Sequence, residues 1–160
     1  MSAAGLSSPR RLLLLVALAC VLAVVGALVS QYQFDMRPCP WCTLQRLIFL
    51  LIAVVAVVAA ALPGTALRRG LSGMAVLLAL CGVAAALWQQ FVAAASASCN
   101  LTLADKILGK LGLFELAPEV FAPQASCADA AVNLLGVPYA FWSLALFALC
   151  ALVCGRSALR

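Results

Sequence analysis

The chain has 160 residues, 67% of them hydrophobic and 9% charged. Its mean hydropathy of +1.17 lies far outside the range of a water-soluble globular domain. The formal net charge is +5, but the basic residues form no block of the kind that binds nucleic acid, so the composition is that of a membrane protein without a nucleic-acid partner.

Residues 12–30 are the first window apolar and long enough to cross a hydrocarbon core of about 30 Å as a helix. Arg10 and Arg11 precede it as they would a secretory signal. The apolar run, however, exceeds the usual signal core, and it ends Ala27-Leu28-Val29-Ser30 without a small-x-small cleavage site. It reads as a retained helix.

A short outer connection, residues 31–43, follows and contains Arg37-Pro38-Cys39-Pro40-Trp41-Cys42-Thr43. The second window, residues 44–62, begins directly after it. With Pro40 in the first helical turn, where a missing N–H costs nothing, Cys42 faces the unpaired N–H groups at the start of the second transmembrane helix. Arg46 returns to the same face four residues later, so a fixed cation joins the helix dipole in favouring a thiolate. An arginine so close to lipid either snorkels to the headgroups as an anchor or pairs with the thiolate or a polar ligand oxygen.

Pro63-Gly64 marks a tight inner turn, and residues 71–91 are the third window. The second outer connection, residues 92–136, is the one segment large enough to hold structure of its own and is the natural docking surface. Within it Thr102-Leu103-Ala104-Asp105 resembles a capping box, followed by Leu103, Ile107, Leu108 and Leu111 at helical spacing. With Lys106 and Lys110 opposite, this predicts a short amphipathic helix lying along the membrane surface. Residues 137–154 are the fourth window. The fold class expected is an all-α four-transmembrane-helix bundle, a single membrane domain over residues 1–160, with a short first and a long second periplasmic loop.

Arg10 and Arg11, Arg68 and Arg69, and Arg156 and Arg160 fall in the three segments that then share one side, expected to be cytoplasmic. Both termini are expected inside. The acidic residues Asp35, Asp105, Glu115, Glu119 and Asp129 all fall in the two outer connections. All three tryptophans (Trp41, Trp88, Trp142) and both tyrosines (Tyr32, Tyr139) lie near the outer helix ends. That one-sided cluster fits either an interfacial belt or the binding of a flat aromatic ligand.

The eight cysteines sort by depth. Cys20, Cys81, Cys150 and Cys154 lie within the windows and read as small inert hydrophobes. Cys39, Cys42, Cys99 and Cys127 lie outside them, an even set with three possible connectivities; spacing favours Cys39 with Cys42 and Cys99 with Cys127. Attachment of c-type haem is excluded because Thr43, not histidine, follows Cys42. Structural zinc is disfavoured by the single Cys-x-x-Cys and the absence of histidine, and no metal is expected. Purely structural disulfides are the stronger alternative, making the chain a non-catalytic braced scaffold, although a Cys-x-x-Cys closes almost no loop and braces little.

These residues resemble a known family, the disulfide bond formation protein B (DsbB) family. The resemblance rests on the spans, on Pro38-Cys39-Pro40-Trp41-Cys42 leading into Leu44-Gln45-Arg46, and on a long second outer loop holding Cys99 and Cys127. It implies a dithiol:quinone oxidoreductase of the bacterial inner membrane. Cys99 would exchange with a reduced periplasmic DsbA-like thiol oxidant, with Cys127 as its companion. Cys39 and Cys42 would reoxidise that pair, Cys42 would give the electrons to a membrane quinone (ubiquinone or menaquinone), and Arg46 would bind the quinone oxygen.

Overall fold

Backbone hydrogen bonds have no partner in hydrocarbon, so each apolar window must satisfy its own by coiling. In the computed structural model, which describes residues 8–95 and 102–159, the windows form α1 (Pro9–Gln33), α2 (Pro40–Ala61), α3 (Thr65–Trp88, continued by a π-helical turn over Gln89–Ala93) and α7 (Tyr139–Leu159). Among the described residues these are the four helices long and apolar enough to cross a membrane; the protein is an all-α four-helix membrane protein. The helices overrun the apolar windows because polar flanking residues keep their helical bonds in the interface. The fourth window behaves differently at its start: Asn133–Leu134 and Val137–Pro138 pair as an antiparallel ribbon (β1 and β2). Leu135 and Gly136 turn that ribbon with φ of 55° and 80°, the two positive values a tight hairpin needs, so α7 begins only after Pro138.

The helices close into a ring in which α1 packs on α2, α2 on α3, α3 on α7 and α7 on α1. The second helix is the most enclosed: 56% of its apolar window is buried, against 22 to 33% for the others. Functional groups on α2 are therefore inside the bundle, while Leu14, Leu18 and Leu22 of α1 or Leu149 and Leu152 of α7 stand outward, where lipid solvates them. Between lipid-facing helices there is little hydrophobic driving force, and close approach must come from small residues. Ala53, Ala56, Ala59 and Ala60 of α2 and Ala75, Ala79, Ala85 and Ala86 of α3 supply them, all buried. At Gly82 the Phe147 ring occupies the space that a Cβ would take, and the same ring stacks on Phe49 with centroids 3.9 Å apart and planes 4° from parallel.

Outside the bundle the second loop folds as α4 (Leu103–Lys110), α5 (Leu113–Leu116) and α6 (Pro118–Phe121). The capping box forms as the sequence indicates: the Asp105 amide donates to Thr102 Oγ1 at 3.2 Å and the Thr102 amide to Asp105 Oδ2 at 2.8 Å. The apolar face of α4 is divided, however. Ala104 and Leu108 are buried as the helix packs on α2, whereas Leu103 and Leu111 are exposed. Leu108 of the expected row packs with Ala104 on α2, while Leu103, Ile107 and Leu111 stay outward. The loop is also pinned to the first outer connection, since the amides of Gln124 and Ala125 both donate to Pro38 O, at 2.8 and 3.3 Å.

Replacing Gly82 by Ala forces the Phe147 ring off Phe49 and should destabilise the bundle by about 1–3 kcal/mol. Gly70→Ala, where a Cβ meets nothing within 4 Å, is the matched control. Thermal unfolding of the two purified variants in one detergent should show a lower midpoint for Gly82→Ala alone.

Candidate functional site

The site starts from the first turn of α2. Cys39 is its N-cap residue, Pro40 takes the position where an N–H is not required, and the Cys42 amide donates to Cys39 Sγ at 3.2 Å. The Cys-x-x-Cys spacing thus returns the second sulfur over the first, with Sγ atoms 2.6 Å apart. Cys39 is fully buried, whereas Cys42 is partly open. Both are free thiols, as is Cys127.

Cys127 comes from the second outer loop and is buried. Its sulfur lies beside Cys39 and the backbone N–H of Trp41, both of which act on its acidity. Three sulfurs therefore meet at one helix N-terminus. Hydrogen bonds to Cys127 and then Cys42, together with burial, push the Cys39 thiol up from the ordinary range. The hydrogen bond from Cys39, aided by the Trp41 amide, holds Cys127 below it against an opposing effect of burial. Cys39 is the proton keeper and Cys127 the more acidic partner. Of the residues picked out in the sequence, Cys99 lies outside the described residues.

Two glutamines join the site. Gln89, in the π-helical turn that ends α3, donates from Nε2 to Cys42 Sγ at 3.2 Å, and Gln45 Nε2 donates to Gln89 Oε1 at 2.5 Å. Both are buried. The sequence reading assigned neither a role. The available signal was the pair Gln89-Gln90 interrupting an apolar window, a place where a polar side chain needs a partner. π-Helical turns of this kind occur often at functional sites.

Arg46 is only 5% exposed. Its Nη1 donates to Gln31 Oε1 at 2.8 Å and to Val120 O at 2.9 Å, and its Nη2 to Ala27 O at 3.4 Å. These partners are neutral oxygens from α1 and α6. They solvate the guanidinium without cancelling its charge, which leaves a cation beside Cys42 at the wall of a cavity of about 830 Å³. The cavity lies between α1 and α7 with α2 behind it. Its outer end is polar, with Ser30, Cys42, Gln45, Arg46, Gln89 and Tyr139, and its inner end is apolar, with Ala23, Val24, Phe49 and Leu146. A pocket graded in this way suits a ligand with a polar head and an apolar tail.

The outer aromatic residues divide between the two roles open to them. Phe34, Tyr139 and Trp142 line the cavity, while Trp88 and Phe91 are exposed as belt residues would be. Trp41 is buried, its ring centroid 6.3 Å from that of Trp88.

Comparison with known proteins matches residues 9–156 to the family model described as "Disulfide bond formation protein DsbB". The chain is 34% identical over 151 residues to "Disulfide bond formation protein B 1" of Pseudomonas fluorescens, covering 91% of this chain and 86% of the relative. It is 35% identical over 149 residues to the protein of the same name in Pseudomonas putida, with 92% and 89% covered. It is 32% identical over 157 residues to "Disulfide bond formation protein B" of Burkholderia thailandensis, with 98% and 93% covered.

The three-sulfur arrangement has a pH signature in the reduced chain. Because Cys127 is held below the ordinary thiol value of 9.0 and Cys39 above it, the anionic form of Cys127 persists as pH falls below that value, and Cys39 stays protonated as pH rises through it. Alkylation rates mapped by mass spectrometry across pH should therefore rise earlier for Cys127 than for Cys39. In a Cys39→Ala chain the Cys127 profile should move to higher pH, because its largest lowering cause is gone.

Proposed function

The chain belongs to the DsbB family of disulfide bond formation proteins, and on that premise we propose that it is a quinone-dependent thiol oxidase, reoxidising a periplasmic DsbA-like dithiol protein. The observation that carries this reading is the placement of Cys127. A loop cysteine touches the buried member of a Cys-x-x-Cys pair, whose other member opens into an amphiphilic cavity beside an uncancelled cation. One sulfur relay thereby spans from the outer loop to the lipid phase.

Disulfide exchange proceeds by attack of a thiolate on a disulfide sulfur, and the better leaving group is the more acidic thiol. The partner's thiolate would attack Cys99 of a Cys99–Cys127 disulfide, releasing Cys127 as a thiolate. With Cys39 and Cys42 oxidised to a disulfide, Cys127 would then attack Cys39 and expel Cys42 as a thiolate. The partner's second thiolate would free Cys99 and leave as a disulfide, and Cys99 would attack Cys127 to restore Cys99–Cys127 and release Cys39. The Gln89 amide hydrogen bond and the Arg46 charge meet the Cys42 sulfur so released. Gln45 holds Gln89 with its amide nitrogen toward sulfur.

A quinone bound in the cavity supplies a two-electron, two-proton acceptor. Arg46, Gln45, Gln89 and Tyr139 are the residues that would hold its polar head, and Ala23, Val24, Phe49 and Leu146 those that would hold its tail. Such an acceptor suits the energetics: a DsbA-type oxidant has a potential near about −120 mV, and each shortfall of about 30 mV costs about 1.4 kcal/mol in a two-electron couple. In this reading the multi-pass protein lies in the bacterial inner membrane with both termini in the cytoplasm.

Anaerobic mixing of the purified chain with ubiquinone or menaquinone and a reduced dithiol protein, followed by quinone absorbance, tests the proposal. Turnover is expected, and Cys42→Ser should abolish it. No turnover with any quinone and partner in the intact chain would favour the braced scaffold, and unchanged turnover in Cys42→Ser would refute the role given to that sulfur. Gln89→Leu should lower kcat by roughly ten- to a hundredfold, because a hydrogen bond to a charged group is worth about 1.5–3 kcal/mol. Arg46→Ala should raise the apparent KM for quinone by about tenfold, a loss of about 1.4 kcal/mol.

A further inference from the structure

Midway through the bundle, away from the sulfurs of the outer site, α1 and α7 each turn a cysteine inward. Cys20 is 0% exposed and Cys150 is 1% exposed, and their Sγ atoms lie 3.7 Å apart, within hydrogen-bonding reach. Cys154 follows one turn further along α7 and is likewise buried. A disulfide requires sulfurs about 2.04 Å apart. Side-chain rotation and a small approach of the two helices would close the difference.

The pair sits one helical turn inward of the cavity floor. Ala23 and Val24 of α1 and Leu146 of α7 line that floor, and the next turn of each helix, about 5.4 Å on, brings Cys20 and Cys150. Water-soluble oxidants have no route to such a depth. A hydrophobic molecule resting on the cavity floor comes within about one helical turn of Cys20 and Cys150.

We propose that Cys20 and Cys150 are a third redox pair, an intramembrane dithiol that a lipid-soluble quinone oxidises to a disulfide joining α1 to α7. Two S–H bonds break and one S–S bond forms; both electrons and both protons pass to the quinone, which leaves as quinol. The bond fixes the width of the seam on which the cavity opens, so the state of the quinone pool would be written into the bundle that the pool serves. This inference rests on the reading of the cavity as a quinone site.

The test uses the full chain in phospholipid vesicles with Cys39→Ser, Cys42→Ser, Cys99→Ser and Cys127→Ser combined, so that no outer relay remains. The intact chain is mapped in parallel in case the combined variant does not fold. After reduction, a decyl-tailed benzoquinone is added anaerobically, the protein is denatured in alkylating agent, and peptides are mapped by mass spectrometry. Most chains should lose alkylation at Cys20 and Cys150 and yield a linked Cys20–Cys150 peptide, with lipid-facing Cys81 still alkylated. Cys150→Ala should remove the link. Full alkylation of all span cysteines after quinone, a link to Cys154 in place of Cys150, or a link formed with the permeant dithiol oxidant diamide but not with quinone would each overturn the proposal. Partner-driven quinone reduction through Cys42 is measured separately, so if it proceeds while the peptide link fails to form, only the intramembrane pair is refuted.

Discussion

A buried arginine with no cancelling carboxylate among its bonded partners organises the outer half of this protein. Placing a guanidinium in a low-dielectric site costs several kcal/mol unless its donors are satisfied. At Arg46 that demand is met by Gln31 and Ala27 from α1 and by Val120 from the loop. Satisfying one side chain therefore ties three parts of the chain to α2. Once Val120 is held there and Gln124 and Ala125 bond to Pro38, Cys127 has little freedom but to rest on Cys39. A charge at the cavity wall thus also holds the outer loop against the head of α2.

The same economy appears at the start of α2. Helix N-termini leave N–H groups without partners, and here sulfur takes up one of them, Cys42 N donating to Cys39, with Cys127 set beside the Trp41 amide. Capping and activation of the thiols are one interaction. The π-helical turn at Gln89 serves the opposite wall, since it ends α3 with an amide aimed at Cys42. The sulfur cluster is thus fixed from three helices and one loop, while the cavity beside it is bounded by α1 and α7.

Much of this was legible residue by residue. Four spans, the inert Pro40 at the head of α2, the capping box at Thr102 and Asp105, and the shared placement of Cys42 and Arg46 each follow from local spacing, and the structure bears such features within one or two helical turns. The apolar residues of α4 were legible, but their division was not: Leu108 packs with Ala104 on α2 while Leu103, Ile107 and Leu111 stay outward, and only the surface of α2 selects between them. The aromatic residues were likewise ambiguous, for a ring at a helix end can serve lipid or ligand with no change in sequence.

By itself, then, the sequence determined that the chain crosses a membrane as four helices and that a Cys-x-x-Cys and an arginine share the mouth of the second, because hydropathy and helical period act over a few residues. Tertiary structure alone decided that Cys127 meets Cys39, that Gln45 and Gln89 form a pair reaching sulfur, that Arg46 is solvated by α1 and the loop, and that Cys20 faces Cys150. Each of those contacts joins residues far apart in the chain, and their meeting is set by how helices pack and how a buried charge finds its oxygens, which no local pattern encodes.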